Sequence, residues 1–466
     1  MTDVALYLCL ASYISYSIRN TRYLIPDIYS HMKLRLILSL IALIILESCA
    51  RKQAPAAIDN LYLSRVYNKM TDIMVHDISN PPLAARFYAY ASLAGYEIIS
   101  QNDPDYPSMH GKLNEYPLIE KPEEFEHQHF QIAALMAIME VSKKIQPSGP
   151  EMLVLEEELV DELRQKGFSD ETIEDSKAYA MLISQAILDY SRKDRYTSIS
   201  NFPRYTPQGT EGTWYPTPPG YFPPVEPYFH TIRPFTLDSS AQFKPEPPVP
   251  FSEDKDSEFF RLTLEVYEAD MSQENKEIAA FWDCNPFALQ DNGHLMVGMK
   301  KISPGAHWMG IADIACQQAG LDFQKSLEIQ TMVAIGLMDG FLACWDEKFR
   351  SNRVRPETVI RKYIDPGWVP FLQTPPFPEY LSGHSTISTA AAVILTHYFG
   401  KTFSYSDTVE ERFGLAARDY DSFLQAAEEA AISRLYGGIH FMDAITRGQD
   451  QGRAVGNWVI ERVKGE

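Results

Sequence analysis

Between Pro375 and Phe399 the chain reads Pro-Pro-Phe-Pro-Glu-Tyr-Leu-Ser-Gly-His-Ser-Thr-Ile-Ser-Thr-Ala-Ala-Ala-Val-Ile-Leu-Thr-His-Tyr-Phe, and Gly400 follows. The prolines force an extended approach, and the alanine-rich apolar run behind it predicts a buried helix that starts near Ser382-Gly383-His384. Glycine at 383 lets the backbone come close to a ligand, and the first amides of a helix have no internal partners. Free N–H groups, the positive end of the helix dipole, a hydroxyl and an imidazole together make an anion site. By itself the stretch reads better as a Ser N-cap beside a surface histidine.

Two further segments supply what an anion site needs. Trp345-Asp-Glu-Lys348-Phe-Arg-Ser-Asn-Arg-Val-Arg355-Pro356 sets Lys348 and Arg355 about two helical turns apart, a spacing that places both on one helix face. Pro356 ends or bends that helix and aims the Arg355 guanidinium. Downstream, Ser433-Arg434-Leu-Tyr-Gly437-Gly438-Ile-His440 closes one helix with Arg434, turns on paired glycines and opens the next with His440. Three cations, a hydroxyl, helix-terminal amides and two histidines suit a tetrahedral oxyanion.

In this order the three segments resemble the Lys-x6-Arg-Pro, Pro-Ser-Gly-His and Ser-Arg-x5-His motifs shared by the vanadium-dependent haloperoxidases and the type 2 phosphatidic acid phosphatase superfamily. Leu381 stands where the second motif has proline, which alters the approach angle and removes no ligand. Ala444 stands where the phosphatases carry an aspartate four residues after the histidine, with Asp443 one step early. That carboxylate orients the nucleophilic histidine in those phosphatases, so its displacement favours the peroxidase branch.

The resemblance implies vanadate as cofactor in a site that phosphate can also occupy. His440 would be the axial ligand to the metal, with Lys348, Arg355, Ser382, the Gly383 amide and Arg434 on the equatorial oxygens. His384 would be the acid–base group. Hydrogen peroxide and a halide, iodide or bromide in preference, would react to a hypohalous acid equivalent, with an unassigned organic acceptor. Trp345 and Phe377 match aromatic positions on the halide side of chloroperoxidase-type relatives, although most aromatics beside a helix are simple core packing. Related enzymes support the acid–base histidine with an upstream carboxylate, for which Asp283 and Asp313 are candidates. With a phosphate ester bound, the same residues would instead run a phosphatase reaction through a phosphohistidine on His440. A third reading, a lipoprotein that binds the anion without turnover, has no use for His384.

The remainder of the chain bounds these readings. A length of 466 residues with 45% hydrophobic content supports large cores. A balance of 42 basic against 62 acidic residues gives a net charge of −20 and argues against nucleic-acid partners. Five cysteines (Cys9, Cys49, Cys284, Cys316, Cys344) show no metal-ligand spacing along the chain, which argues against zinc. Met32-Lys33-Leu34-Arg35, an apolar run to Leu46 and Glu47-Ser48-Cys49 resemble a bacterial lipoprotein signal. Residues 1–31 then read as an upstream extension, Cys49 as the lipidated residue and the protein as an exported cell-envelope protein whose membrane attachment is that anchor.

Residues 50–200 read as a helical unit, with helices opening at Pro81-Pro82 and running over 130–145, 151–165 and 170–190. His127 and His129 fall on opposite sides of a helix and predict no metal site. Thirteen of the 31 prolines lie between Pro203 and Pro250, so 201–250 reads as an extended connection that its aromatic residues keep ordered. Helices resume over 257–270, 273–281, 304–320 and 326–349, with His294 and His307 near the break after Phe281. The expected fold is all-α: two packed helical bundles, with the active site in the C-terminal unit, 251–466.

Overall fold

The computed structural model describes residues 57–291, 296–298 and 300–465, and the signal region, Cys49 and His294 lie outside them. Thirteen α-helices carry the described fold, joined by short 3-10 turns and two small hairpins. Helices α1 (Leu61–His76), α2 (Pro81–Asn102), α3 (Phe130–Ile145), α4 (Met152–Gln165) and α5 (Asp170–Arg192) form the N-terminal group. Asn80 and Ser169 cap α2 and α5 by accepting from the amides of Leu83 and Thr172, and prolines occupy the first positions of α2, where no N–H is needed.

The C-terminal group comprises α6 (Glu258–Tyr267), α7 (Gln273–Phe281), α8 (Pro304–Gln318), α9 (Phe323–Ser351), α10 (Pro356–Tyr363), α11 (Gly383–Phe399), α12 (Phe423–Tyr436) and α13 (Met442–Lys464). The hairpins β1–β2 (Leu289–Asp291 with Met296–Gly298) and β3–β4 (Tyr405–Asp407 with Arg418–Tyr420) are antiparallel and three residues per strand. The all-α expectation holds, with these two ribbons as the sheet content among the described residues.

Helix α9 joins the two groups. It packs on α2 on one side and on α8, α11 and α13 on the other, and one continuous apolar core runs from Ile58 to Val463. By length and composition α9 could cross a membrane, yet its apolar window is wholly buried among protein neighbours. Asp339, fully buried in α9, takes the amides of Phe235 and Thr236, each at 2.7 Å. Those bonds pin the proline-rich connection to the helix. The same connection donates from Trp214 to the Asn352 carbonyl at 2.9 Å and from Val225 to the Pro376 carbonyl at 3.0 Å, beside the anion motifs.

Helix α11 is the centre of the C-terminal group, wrapped by α8, α9, α12 and α13. Its closest neighbour is α13, and three glycines four residues apart make that approach possible. A Cβ at Gly452 would lie 2.1 Å from the Thr386 carbonyl oxygen, and one at Gly448 would lie 2.9 Å from that of Ser382. With hydrogen in place of Cβ, the ridge of α11 settles against the backbone of α13. This seating fixes Ser382, Gly383 and His384, which begin α11.

Candidate active site

Ser382 caps α11, its Oγ accepting from the Ser385 amide at 3.3 Å, and the Ser385 hydroxyl lies 2.7 Å from the same oxygen. The Tyr380–Leu381 peptide before it is cis. Gly383 and His384 line a cavity of about 30 Å³, partly open to solvent. Phe287, Phe341, Trp345, Pro375 and Phe377 form its apolar wall, while Asp283, Asn285, His384, Arg434 and His440 form its polar one. Trp345 and Phe377 stand 5.0 Å apart in a tilted pair, and the Trp345 indole donates to the Val225 carbonyl at 3.2 Å.

The three predicted cations all reach this region, by a different route from the one expected. Lys348 and Arg355 do not share one helix face. Helix α9 stops at Ser351 because Asn352 turns left-handed (φ 50°) and closes it on the Lys348 carbonyl at 2.9 Å. Pro356 then starts α10 instead of ending α9, because its missing N–H is harmless at a first helical position. Arg355 precedes α10 as its cap residue, fully buried. Its Nε donates to the Phe377 carbonyl and its Nη1 to the Ile439 carbonyl, both at 2.9 Å, and Nη1 lies 3.1 Å from His440 Nε2. Its Nη2 is buried without a partner.

Lys348 is equally buried and donates to the carbonyls of Pro378, Glu379 and Leu381. All three of its N–H bonds are thus committed to the backbone that leads into Ser382. Burial, then the charge of Arg355, brings its pKa down to about 7, and burial, then the charge of Arg353, brings Arg355 to about 10. Arg434, near the end of α12, donates to the Trp282 carbonyl at 2.6 Å and to the Ser433 hydroxyl at 2.9 Å.

His440 lies in the turn after Gly437-Gly438, two residues ahead of α13 and not at its first position. Arginine can only donate, so the nitrogen facing Arg355, Nε2, is the acceptor, and Nδ1 carries the proton. Nδ1 donates to Glu379 Oε1 at 2.8 Å, and the Phe441 amide joins that oxygen at 2.9 Å. Glu379 Oε2 takes Arg353 Nε at 2.6 Å, and Arg353 in turn forks onto both oxygens of Asp443 at 2.6 and 2.7 Å. The carboxylate that orients His440 thus comes from Glu379, three residues before Ser382, and Asp443 acts one step further back through Arg353. Sequence reasoning missed Glu379, and the displacement of the aspartate to 443 consequently says nothing against a histidine nucleophile. A glutamate inside the proline-rich approach was the available signal.

His384 is partly buried. Its Nε2 has no partner, and its other side is held against the Trp282 backbone. Burial, then the charges of Arg434 and His440, drives its pKa well below the histidine range; burial, then Arg355 and Lys348, does the same to His440. Neither carboxylate proposed for its support reaches it. Asp283 pairs with Lys301 instead, and Asp313 bonds to Ser64 and Gln330 beside a different cavity, because α8 turns that face toward α1. His129 packs on Phe130 and Phe168, and His127 is exposed near Glu171.

Vanadate fits this donor set. Arg355 Nη2 and His384 Nε2 are buried polar atoms lacking partners, and the His440 Nε2 lone pair is engaged only by a guanidinium. Such a gathering of unpartnered donors and positive charge suits a multiply charged tetrahedral oxyanion.

A family model described as the VCPO second helical-bundle domain matches residues 328–465, which contain all three motifs. No curated protein matches the chain in sequence. A solved bacterial vanadium-dependent iodoperoxidase is 44% identical and superposes with a TM-score of 0.83, covering 88% of this chain and 98% of its own. A bacterial vanadium-dependent chloroperoxidase, 16% identical in its holo form and 15% in its apo form, superposes at 0.60 in both. These alignments cover 83% and 85% of this chain and 92% and 95% of theirs, and they speak to the fold alone. Identity and coverage at the level of the iodoperoxidase, together with the matched domain, make this chain a member of the vanadium-dependent haloperoxidase family.

Proposed function

We propose that the protein is a vanadate-dependent peroxidase that oxidises iodide, and less readily bromide, with hydrogen peroxide. The observation that carries this reading is the set of buried cationic donors around His440 Nε2, where Arg355 Nη2 and His384 Nε2 have no protein partner. His440 Nε2 would bind the metal, held in its tautomer by Glu379. Arg355, Arg434, Ser382 and the Gly383 amide would hold the oxyanion oxygens. Lys348 would supply charge from behind the loop and reach an oxygen by exchanging one of its carbonyls. Vanadate, once bound, acts as the Lewis acid that polarises peroxide toward attack by halide. His384, neutral before the anion binds, accepts a proton at Nε2 from incoming peroxide and returns it to the departing oxygen. Trp345 and Phe377 exclude water on the halide side, so the field of the cations acts at low dielectric.

Iodide preference is supported by the function of the 44% identical relative. It is tested by purifying the protein without phosphate, loading orthovanadate and following peroxide-dependent halogenation of a phenolic dye with iodide, bromide and chloride. Absence of vanadate-dependent turnover with every halide would sink the proposal. The Glu379–His440 pair favours a second reading, since an oriented neutral imidazole can also attack phosphorus. Phosphate-ester hydrolysis by the vanadate-free protein, inhibited by vanadate, would establish it. We also propose lipid attachment at Cys49, which lies outside the described residues, as the protein's tie to the cell envelope. Loss of metabolic lipid label in Cys49→Ala checks that attachment.

A further inference from the structure

Behind the Trp282 carbonyl, which receives Arg434, lies a second buried constellation that the proposed halide chemistry does not use. Cys284 follows the end of α7, His307 sits on α8, and Glu410 follows the β3 strand. Cys284 Sγ lies 3.4 Å from His307 Nδ1 and 3.6 Å from Glu410 Oε1, and His307 Nδ1 lies 3.3 Å from that same oxygen. All three side chains are buried.

These three lengths have a common geometric meaning. A tetrahedral zinc ion with S, N and O ligands at about 2.3, 2.05 and 2.1 Å requires ligand-to-ligand edges of roughly 3.3–3.6 Å. Each observed edge falls in that range. The two sulfur distances also suit thiol hydrogen bonds, so the edge between His307 and Glu410 is the one that discriminates. The same imidazole makes a short bond through Nε2 to Asp407 at 2.8 Å, the length expected of a charge-assisted pair. On its other side it stops 3.3 Å from an equally available carboxylate oxygen, about half an ångström too far for the same bond. Two ligands that share an ion keep that distance. Asp407 meanwhile occupies the position of the carboxylate behind a metal-bound histidine, which fixes the tautomer with Nδ1 free to coordinate.

We propose that Cys284, His307 and Glu410 bind a zinc-type divalent cation, with Asp407 orienting the histidine. Sulfur, imidazole and carboxylate in a tetrahedral arrangement select zinc over calcium or magnesium, which take oxygen ligands in larger numbers. Cys284 also borders the main cavity, so a water from that side can complete the fourth position. The ion would tie three segments distant in sequence at the wall of the active site. Trp282 stacks on the His307 ring at 4.6 Å and presents its carbonyl to Arg434 at 2.6 Å. Scanning cysteines along the chain could not find this site, because its ligands are 23 and 126 residues from Cys284.

The test uses the full chain, with neither vanadate nor peroxide present, so its result is independent of the proposed reaction. After incubation with zinc and passage over a weak chelator, elemental analysis is expected to find one equivalent bound. Cobalt in place of zinc is expected to give visible tetrahedral d–d bands and a near-ultraviolet thiolate-to-metal charge-transfer band. Asp407→Asn should weaken zinc binding about 10–100-fold while leaving both spectral features in place at saturation. Cys284→Ser should abolish the charge-transfer band. A wild-type protein that retains no zinc and gives octahedral cobalt spectra without the thiolate band overturns the proposal, and that reading needs no variant to fold.

Discussion

Two buried arginines show how differently the halves of this protein treat charge. In the N-terminal group, Arg86 meets Asp194 at 2.7 Å, donates to the Ser191 carbonyl at 3.1 Å and lies over the rings of Tyr90 and Tyr196. Tyr90 closes the set by donating to the same Asp194 oxygen at 3.0 Å. The pair is neutral, and its geometry is closed. Around His440, by contrast, Lys348, Arg353, Arg355 and Arg434 are all buried, Arg353 alone of the four bonds the Glu379 carboxylate, and Arg355 Nη2 is left without a partner. A buried pair that balances is architecture. A buried excess of one sign, with donors to spare, is a binding site for the opposite sign.

The contrast can be broken from either side. The largest effect is expected from His384→Ala, which should lower the turnover of the vanadate-loaded enzyme about 10²–10⁴-fold while leaving vanadate affinity nearly intact. Steady-state kinetics beside direct vanadate titration separates the two. Equal loss of both would remove the acid–base assignment. Arg86→Met should do the reverse. It strands Asp194 in the core and is expected to cost about 3–5 kcal/mol of stability in urea unfolding, with no change in vanadate affinity of the folded protein.

A smaller, sharper test is Glu379→Gln. The amide keeps the shape but can turn either end toward His440 and weakens the hold on Arg353, so vanadate affinity should fall about 10–100-fold. If affinity is unchanged, Glu379 merely fills space. The smallest expected effect is in pH dependence. His384 and His440 are held well below the usual histidine range, so the folded protein binds fewer protons there than the unfolded chain. Stability from these groups is therefore full above about pH 6.5 and is lost as pH falls. Lys348, at about 7 in the fold, carries the same sign upward, adding stability as pH rises from there toward the usual lysine range. An oxyanion favours the protonated forms and should flatten the slope. Thermal melts at pH 5, 7 and 9, with and without orthovanadate, check this.

Much of the helical framework was legible because its signals are local. Helices α3 and α7 begin and end where apolar periodicity and capping predict, and α5 begins on the Ser169 cap. The three motifs were legible for the same reason, since each is a helix end with its own turn chemistry. What reading along the chain could not give was the company each residue keeps. Arg355 reaches the site from the cap of α10 because Asn352 breaks α9 first, and Glu379 replaces the displaced aspartate because the proline-rich approach folds back over His440. The glycines at 448, 452 and 456 carry no sign of their purpose until α11 is seen lying against them.

Sequence by itself thus determined the all-helical class, the order of the motifs and the candidate residues for an anion site, because capping, periodicity and charge are properties of neighbours along the chain. Tertiary structure alone decided which carboxylate orients His440, that Lys348 faces carbonyls, and that Cys284, His307 and Glu410 stand at ligand distances. Those outcomes depend on which helices share a core, and the burial that selects such contacts is non-directional and blind to separation in sequence.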